Sequence, residues 1–542
     1  MTYPSTIAGE ANVPAPTKTF GVFYSIATSL FFAFLSVLLF LRIMNFEMRR
    51  DEQLYVPPIK LLDGAALYSD FFYNHPPGSA WYFYGVSKLV GPSHLLLSGR
   101  VGVFLAWILF AVVVVGVVHA LTRSGWVTVC VVVLSLVNEL FLTQTGVGAT
   151  NNFLPWPFAL LGLSLFLLAL RNERRRAMLV ALSGFFLALA VSFKLSAIAF
   201  IPAVAIAAFL LPQSLRLKER LVQVVAPLTV GGLIGGAPIL FYLLRDPQLL
   251  LAHVVRYHTG PHPQYWRLAS GDGEGGAMSL AQKLALAQEI WLAPAVAVAL
   301  AALLAVALTV FSRRAESRTP EPGMRRGELL VLLGVVLTSI AMSFVPTPGF
   351  PQYFAPPLIC VPLAFGLFLE TLGPTSLPSV RPILLSAAVL ALAVNAPRLG
   401  QYIGKAVHPA QWTTMRVHEA GMTIAERMQA AGVSGKVATL SPIYPLEGGL
   451  DVYPELATGP FAYRTASVTS PELAKYYRMT SPETVGALFD QEPPAALLLG
   501  FDDELEKPMR AYAESHGYVL SAPLGFKDRY GTPVLYLKPA SS

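Results

Sequence analysis

The chain has 542 residues, of which 54% are apolar and only 13% charged, and its mean hydropathy is +0.56. Ordinary globular domains carry about 25% charged residues, and here the apolar residues come in long blocks, so a string of soluble domains is excluded in favour of lipid-facing helices. The net charge of +7 does not imply a nucleic-acid partner: residues 401–542 hold 12 Lys+Arg and 15 Asp+Glu, and the remaining 27 basic and 17 acidic side chains precede them, with the excess mostly in short loops between apolar segments, where it encodes membrane topology.

The first 19 residues are polar and contain Pro. Phe20–Leu41 follows, 22 residues without a charge, which as a helix spans about 33 Å. A cleavable signal has a shorter apolar region and a small-residue cleavage site, so this run reads as an uncleaved anchor. Further apolar spans are expected near 101–122, 126–142, 153–170, 177–193, 195–212, 222–244, 290–312, 328–345, 353–370 and 382–396. The fold class is thus a polytopic α-helical membrane protein of about 11 transmembrane helices in residues 1–396, the last of them short. Cys130 and Cys360, the two cysteines, lie inside apolar spans and read as small core hydrophobes without a disulfide.

Loop charge alternates. The loops Arg171–Arg176, Arg216/Lys218/Arg220 and Arg313–Arg326 are strongly basic, whereas 143–152 and 346–352 carry no charge. Lys/Arg excess marks the cytoplasmic side. The N-terminus is then inside, and the outer loops 42–100 and 245–289, the turn at Lys194 and the C-terminal part face outward. From about 397 the composition shifts to Gly, Pro, Tyr and charge. Short β-like runs at Lys436–Leu440, Ala495–Phe501, Tyr518–Leu520 and Pro533–Leu537 alternate with helix-like stretches at Ser481–Asp490 and Asp503–His516. Residues 397–542 are therefore expected to form an extracytoplasmic soluble α/β domain.

The first outer loop carries the richest chemistry: Asp51-Glu52, Tyr55, then Tyr73-Asn74-His75-Pro76-Pro77-Gly78. Pro-Pro stiffens the backbone and holds Asn74 and His75 in fixed positions. Lys194 follows a short span, and His253–Arg267 is dense in His, Arg and aromatic residues, with Arg256, His258, Tyr265, Trp266 and Arg267 among them. Such a segment also suits an interfacial aromatic belt. Glu139 stands near the outer end of its span, within reach of Lys194 or a lipid headgroup. His119 reads as a packed residue, and Asn151-Asn152 as helix caps.

An N-terminal anchor, then Asp-Glu-x-x-Tyr, then a Tyr-Asn-His-Pro-Pro element resembles the GT-C superfamily of membrane glycosyltransferases, in particular the lipid A aminoarabinose transferases and protein O-mannosyltransferases. Lys194 in Ser192-Phe193-Lys194 and Tyr353 in Gln352-Tyr353-Phe354 resemble further elements of those proteins, and the resemblance covers residues 1–400. Asn74-His75 stands where the family often has Glu-Lys. The resemblance implies transfer of a sugar from a polyprenyl-phosphate-linked donor to a hydroxyl of a glycan, lipid or protein acceptor on the outer face of the bacterial inner membrane, with inversion. In that chemistry a carboxylate, Asp51 or Glu52, serves as base. Lys194, Arg256, Arg267, His75 and His258 are candidates for the departing phosphate, and Tyr55, Asn74, Tyr265, Trp266 and Tyr353 for substrate contacts. A divalent cation is an open expectation: Asp51, His75, His253, His258 and His262 offer suitable ligand types, without the tight spacing of a structural zinc site. The alternative is a transporter or flippase of lipid-linked sugars. It calls for ionisable groups across the membrane and pseudo-symmetric halves, and neither is legible.

Overall fold

The computed structural model describes residues 18–269, 276–316 and 326–539. Most of the basic stretch Arg313–Arg326 and nearly all of the polar N-terminus lie outside the described residues. Among these residues seven helices are long and apolar enough to cross a membrane: Ile26–Asn45, Leu95–Thr122, Arg176–Phe193, Pro294–Arg313, Arg326–Phe344, Pro351–Glu370 and Leu377–Gly400. The pair Leu217–Gly235 and Ala237–Arg245, bent by 68°, makes an eighth if counted as one span. The other three expected spans are shorter apolar helices, Gly125–Leu136, Pro155–Arg171 and Leu195–Leu210.

The last span is longer than expected. Pro378 and Pro382 lie in first turns, where a missing N–H costs nothing. The helix then continues past Pro397 to Gly400 rather than stopping at 396. His119 is not packed either. It belongs, with Val115, Gly116 and Ala120, to the exposed stripe of Leu95–Thr122. Glu139 meets neither Lys194 nor a headgroup: its carboxylate accepts the backbone N–H of Ala295 (2.6 Å) and Val296 (3.2 Å), so it neutralises the start of the helix Pro294–Glu316.

Small residues set the closest helix contact. A Cβ placed on Gly184, Gly231 or Gly235 would lie about 2 Å from a carbonyl oxygen of the facing helix. Arg176–Phe193 and Ala226–Gly235 therefore pack backbone against backbone, as membrane helices do without a hydrophobic force to join them. At the end of the bundle bearing the basic loops, Arg171 pairs with Glu328 and, at 2.6 Å, with Glu370, tying three spans together.

The first long loop is a packed layer rather than a solvated excursion. Leu54, Tyr55, Val56, Ile59, Leu67, Phe71 and Phe72 are all buried, in short helices Glu52–Tyr55 and Pro58–Leu61 and an irregular return that leads into the helix Gly78–Val90. Beyond Gly400, the helix Thr413–Ala430 leads into a four-stranded sheet. Its strands are β1 (Val437–Ala438), β2 (Ala496–Leu499), β3 (Val519–Leu520) and β4 (Val534–Leu537), one in each expected run. Their order is β1-β2-β4-β3, with β1 parallel to β2 and the other pairs antiparallel. Helix Val485–Gln491 starts later than Ser481, because the Thr484 hydroxyl accepts the Ser481 N–H and closes a turn first. The C-terminal part is bonded to the first loop and the membrane helices. Gln53 accepts the Ile443 N–H (3.0 Å), Glu447 accepts the Leu96 N–H (2.7 Å), and Tyr257 donates to the Phe461 carbonyl (2.9 Å).

Candidate active site

Two neighbouring carboxylates in the first loop have opposite fates. Residues one apart on a helix diverge by about 100°, so only one of Asp51 and Glu52 can face inward. Glu52 does: it is fully buried and receives four hydrogen bonds, from Arg100 Nε (3.0 Å) and Nη2 (2.9 Å) and from the backbone N–H of Arg49 (2.8 Å) and Ala149 (2.7 Å). That leaves no lone pair for a substrate. Asp51 faces the other way, into a cavity of about 300 Å³. Among the described residues its carboxylate has neither hydrogen bond nor ion pair.

The second element is the rigid turn that ends the loop. Tyr68, held at φ +74°, donates its hydroxyl to the His75 carbonyl (2.7 Å). Gly78 lies so close to Ser192 that a Cβ would sit 2.5 Å from its carbonyl oxygen. This contact brings Asn74 and His75 beside the end of helix Arg176–Phe193, where the backbone turns extended at Lys194. Lys194 is buried on the cavity wall and donates to Asn152 Oδ1 at 2.5 Å, with its ammonium 5.2 Å from the centre of the Tyr353 ring. Burial pushes its pKa down to about 7, against the pull of Asp51. Asn151 links the same region, accepting the Tyr55 hydroxyl (2.8 Å) and donating to the Phe193 carbonyl (3.0 Å). Asn151 and Asn152 are therefore not helix caps. They fix Tyr55 and Lys194.

His75 stacks on Tyr55 at 5.1 Å and lies 5.3 Å from His258, which is 5.7 Å from His262. Burial lowers all three pKa values, so at neutral pH these imidazoles are uncharged. His258 Nε2–H donates to the Asn74 carbonyl at 2.7 Å. They polarise the cavity as dipoles; its positive charge comes from the arginines and, in its protonated form, from Lys194.

Of the expected site residues, the structure brings Asp51, Tyr55, Asn74, His75, Lys194, His258, Trp266 and Tyr353 around one cavity. It leaves out Glu52, Arg256, Arg267 and Tyr265. Arg256 is on the exposed side of its helix and donates to Gln248 (2.9 Å), Arg267 is also exposed, and Tyr265 is held behind the wall against Arg464. His253 is packed among Tyr68, Phe72 and Tyr477. No group of three or more His, Cys, Asp or Glu among the described residues is placed to hold a metal ion.

Sequence reading missed the part of the wall that the C-terminal residues supply: Phe461, Arg464, Arg529 and Tyr530. Tyr530 accepts the Arg50 N–H at 2.6 Å, and the Arg50 guanidinium lies over its ring and pairs with Asp502 at 2.7 Å. The residue preceding Asp51 is thus clamped from the C-terminal side. No local motif announces these contacts, since they join residues more than 400 positions apart.

A family model described as dolichyl-phosphate-mannose-protein mannosyltransferase matches residues 74–242, which include His75 and Lys194. The chain superposes on the crystal structure of ArnT from Cupriavidus metallidurans bound to undecaprenyl phosphate, with a TM-score of 0.59, 14% identity, and 97% of this chain and 99% of that one covered. The apo form of the same protein gives a TM-score of 0.58 with 15% identity and coverages of 97% and 99%. This is the GT-C fold. No curated protein sequence matches the chain. In this fold the cavity joins the first loop, the Lys194 turn, the His258–Trp266 segment and the C-terminal residues, and all these loops lie at the opposite end of the bundle from Arg171 and its glutamates.

Proposed function

We propose that the chain is a glycosyltransferase that moves a sugar from a polyprenyl-phosphate donor to an acceptor hydroxyl, on the membrane face opposite the arginine-rich loops. The observation that carries the reading is a carboxylate, Asp51, without a hydrogen-bond or ion-pair partner among the described residues, sharing one cavity with a buried ammonium, Lys194. Support comes from the ArnT structure, whose ligand is undecaprenyl phosphate, and from the family description, which names a dolichyl-phosphate sugar. The positive-inside pattern of the loops supports a position of the cavity and residues 397–542 at the outer surface of a bacterial inner membrane.

In this mechanism Asp51 takes the proton of the acceptor hydroxyl as that oxygen attacks the anomeric carbon. The carbon–oxygen bond to the phosphate breaks on the opposite face, the configuration inverts, and the electron pair leaves with the polyprenyl phosphate. Negative charge grows on that phosphate, and fixed cations aimed at it lower the barrier. Lys194 is the cation on the membrane side. Tyr55, Trp266 and Tyr353 present aromatic faces to a sugar ring. Glu52 acts through position, anchoring the turn that carries Asp51.

The purified chain is to be given labelled lipid-linked sugars and acceptor fractions from membranes. Transfer of label with matching release of polyprenyl monophosphate is expected. Movement of intact lipid-linked sugar across vesicles without cleavage would instead establish a flippase.

A pH effect follows from Lys194. Its free pKa is about 7, and a bound phosphate raises it, because the charged form is then stabilised. Protons are taken up on binding, so affinity for undecaprenyl phosphate falls as pH rises above about 7, at up to roughly tenfold per unit. Lys194→Arg keeps its charge across this range and is expected to flatten the slope. Titration of binding between pH 6.5 and 9 checks this.

A further inference from the structure

Arg464 lies in the short helix Pro460–Ala466 of the C-terminal part. The helix is seated against the first loop through Gly459, at φ +63°, where a Cβ would lie 2.7 Å from the Leu440 carbonyl oxygen and 3.0 Å from Gln53. Arg464 is 8% exposed, yet among the described residues its guanidinium makes no hydrogen bond and no ion pair. Its Nε is closed to solvent without an acceptor. What surrounds it is aromatic: the ring centres of Trp266, Phe461 and Tyr265 lie 4.8, 4.9 and 5.4 Å away. Cation–π contact offsets part of the lost hydration, but a charged group whose Nε–H is buried without an acceptor is costly to maintain. Arg464 also lines the cavity that holds Lys194. A second unmet group is there as well: Asn74 Oδ1 is buried without a donor.

From these observations we infer that Arg464 is the guanidinium that grips a phosphate ester in this cavity, opposite Lys194. The fork of a guanidinium matches two oxygens of a phosphate, whereas an ammonium acts as a point charge. The aromatic cage fixes the plane of that fork. Asn74 Oδ1 accepts from a hydroxyl, so the pair suits a ligand that carries both groups, as a sugar phosphate does. The inference rests on the donor reading above. It adds that residues after 400 supply a contact to the phosphate, so the site is incomplete without them.

The test uses the full chain in lipid nanodiscs, titrated with undecaprenyl monophosphate and, separately, with inorganic phosphate. Arg464→Met is expected to weaken binding by about 10-fold or more, the value of a charge-assisted hydrogen bond. Arg464→Lys should recover part of it. The thermal midpoint of ligand-free Arg464→Met should match or exceed that of the unaltered chain, since an unpaired buried charge is gone. A loss confined to undecaprenyl monophosphate assigns the site to the lipid headgroup, and a loss for both probes assigns it to phosphate of either source. Unchanged affinity for both, or a fall in the ligand-free midpoint with no loss of affinity, overturns the inference. An unaltered chain that binds no undecaprenyl monophosphate instead defeats the donor reading.

Discussion

Sugar transfer by Asp51→Asn is expected to fall by about 10²–10⁴-fold, the usual contribution of a positioned base, with no loss of protein from the membrane. The substitution keeps the volume of the side chain and removes its charge. In the ligand-free protein the packing does not rest on that charge: among the described residues the Asp51 carboxylate holds no hydrogen bond or ion pair, and its pull on Lys194 acts only through space. An effect on abundance would therefore contradict the geometry, and full activity would remove Asp51 from the role of base. The comparison with Glu52→Gln sharpens the result. That variant still fills the buried site but puts an amide where four donors converge, so its defect should be in folding and abundance first and in turnover second. Measuring transfer per unit of folded protein separates the two.

The second large effect is structural. Arg100→Leu is expected to destabilise the chain by about 3–5 kcal/mol, the cost of leaving one member of a buried ion pair unpartnered. Arg100 and Glu52 are both fully buried, 2.9 Å apart. The guanidinium also donates to the carbonyls of Ile43 (2.9 Å) and Phe46 (2.7 Å), so one side chain closes the end of the first span, the Asp51 turn and the start of the span Leu95–Thr122. Removing it leaves a carboxylate in an apolar interior and the carbonyls of Ile43 and Phe46 without this donor. The double variant Glu52→Gln, Arg100→Met should be less damaged than Arg100→Leu alone, since no charge then remains buried. Thermal unfolding of the purified proteins in one detergent, with membrane abundance beside it, checks both statements. Equal loss in the single and double variants would mean that the hydrogen bonds to the carbonyls, rather than the charge pair, dominate.

The two glutamate and aspartate neighbours show where sequence reading reached its limit. Among the described residues, composition and block length were enough to mark the seven helices long and apolar enough to cross a membrane, because lipid imposes a length and polarity rule on each segment by itself. The density of ionisable and aromatic groups in the first long loop drew attention to Asp51, Asn74 and His75, and the resemblance to GT-C glycosyltransferases added Lys194 as a candidate. Which carboxylate is free was not legible. That depends on Arg100, 48 positions away, taking Glu52 inward. The same limit applies to Asn151 and Asn152, whose partners are Tyr55, Phe193 and Lys194, and to Glu139, which serves a helix that begins 155 residues later at Pro294.

The sequence by itself determined the membrane class, the alternation of basic and uncharged loops, the position of the strands after residue 400 and the first-loop and Lys194 candidates. These are local properties, read from hydropathy, charge and turn chemistry along a few tens of residues. Only the tertiary structure decided which candidates share a cavity, which are spent on holding the fold, and that Arg464 and Tyr530 complete the wall. Chain closure over hundreds of residues sets those contacts, and a polar side chain becomes structural or available according to whether that closure brings it a partner.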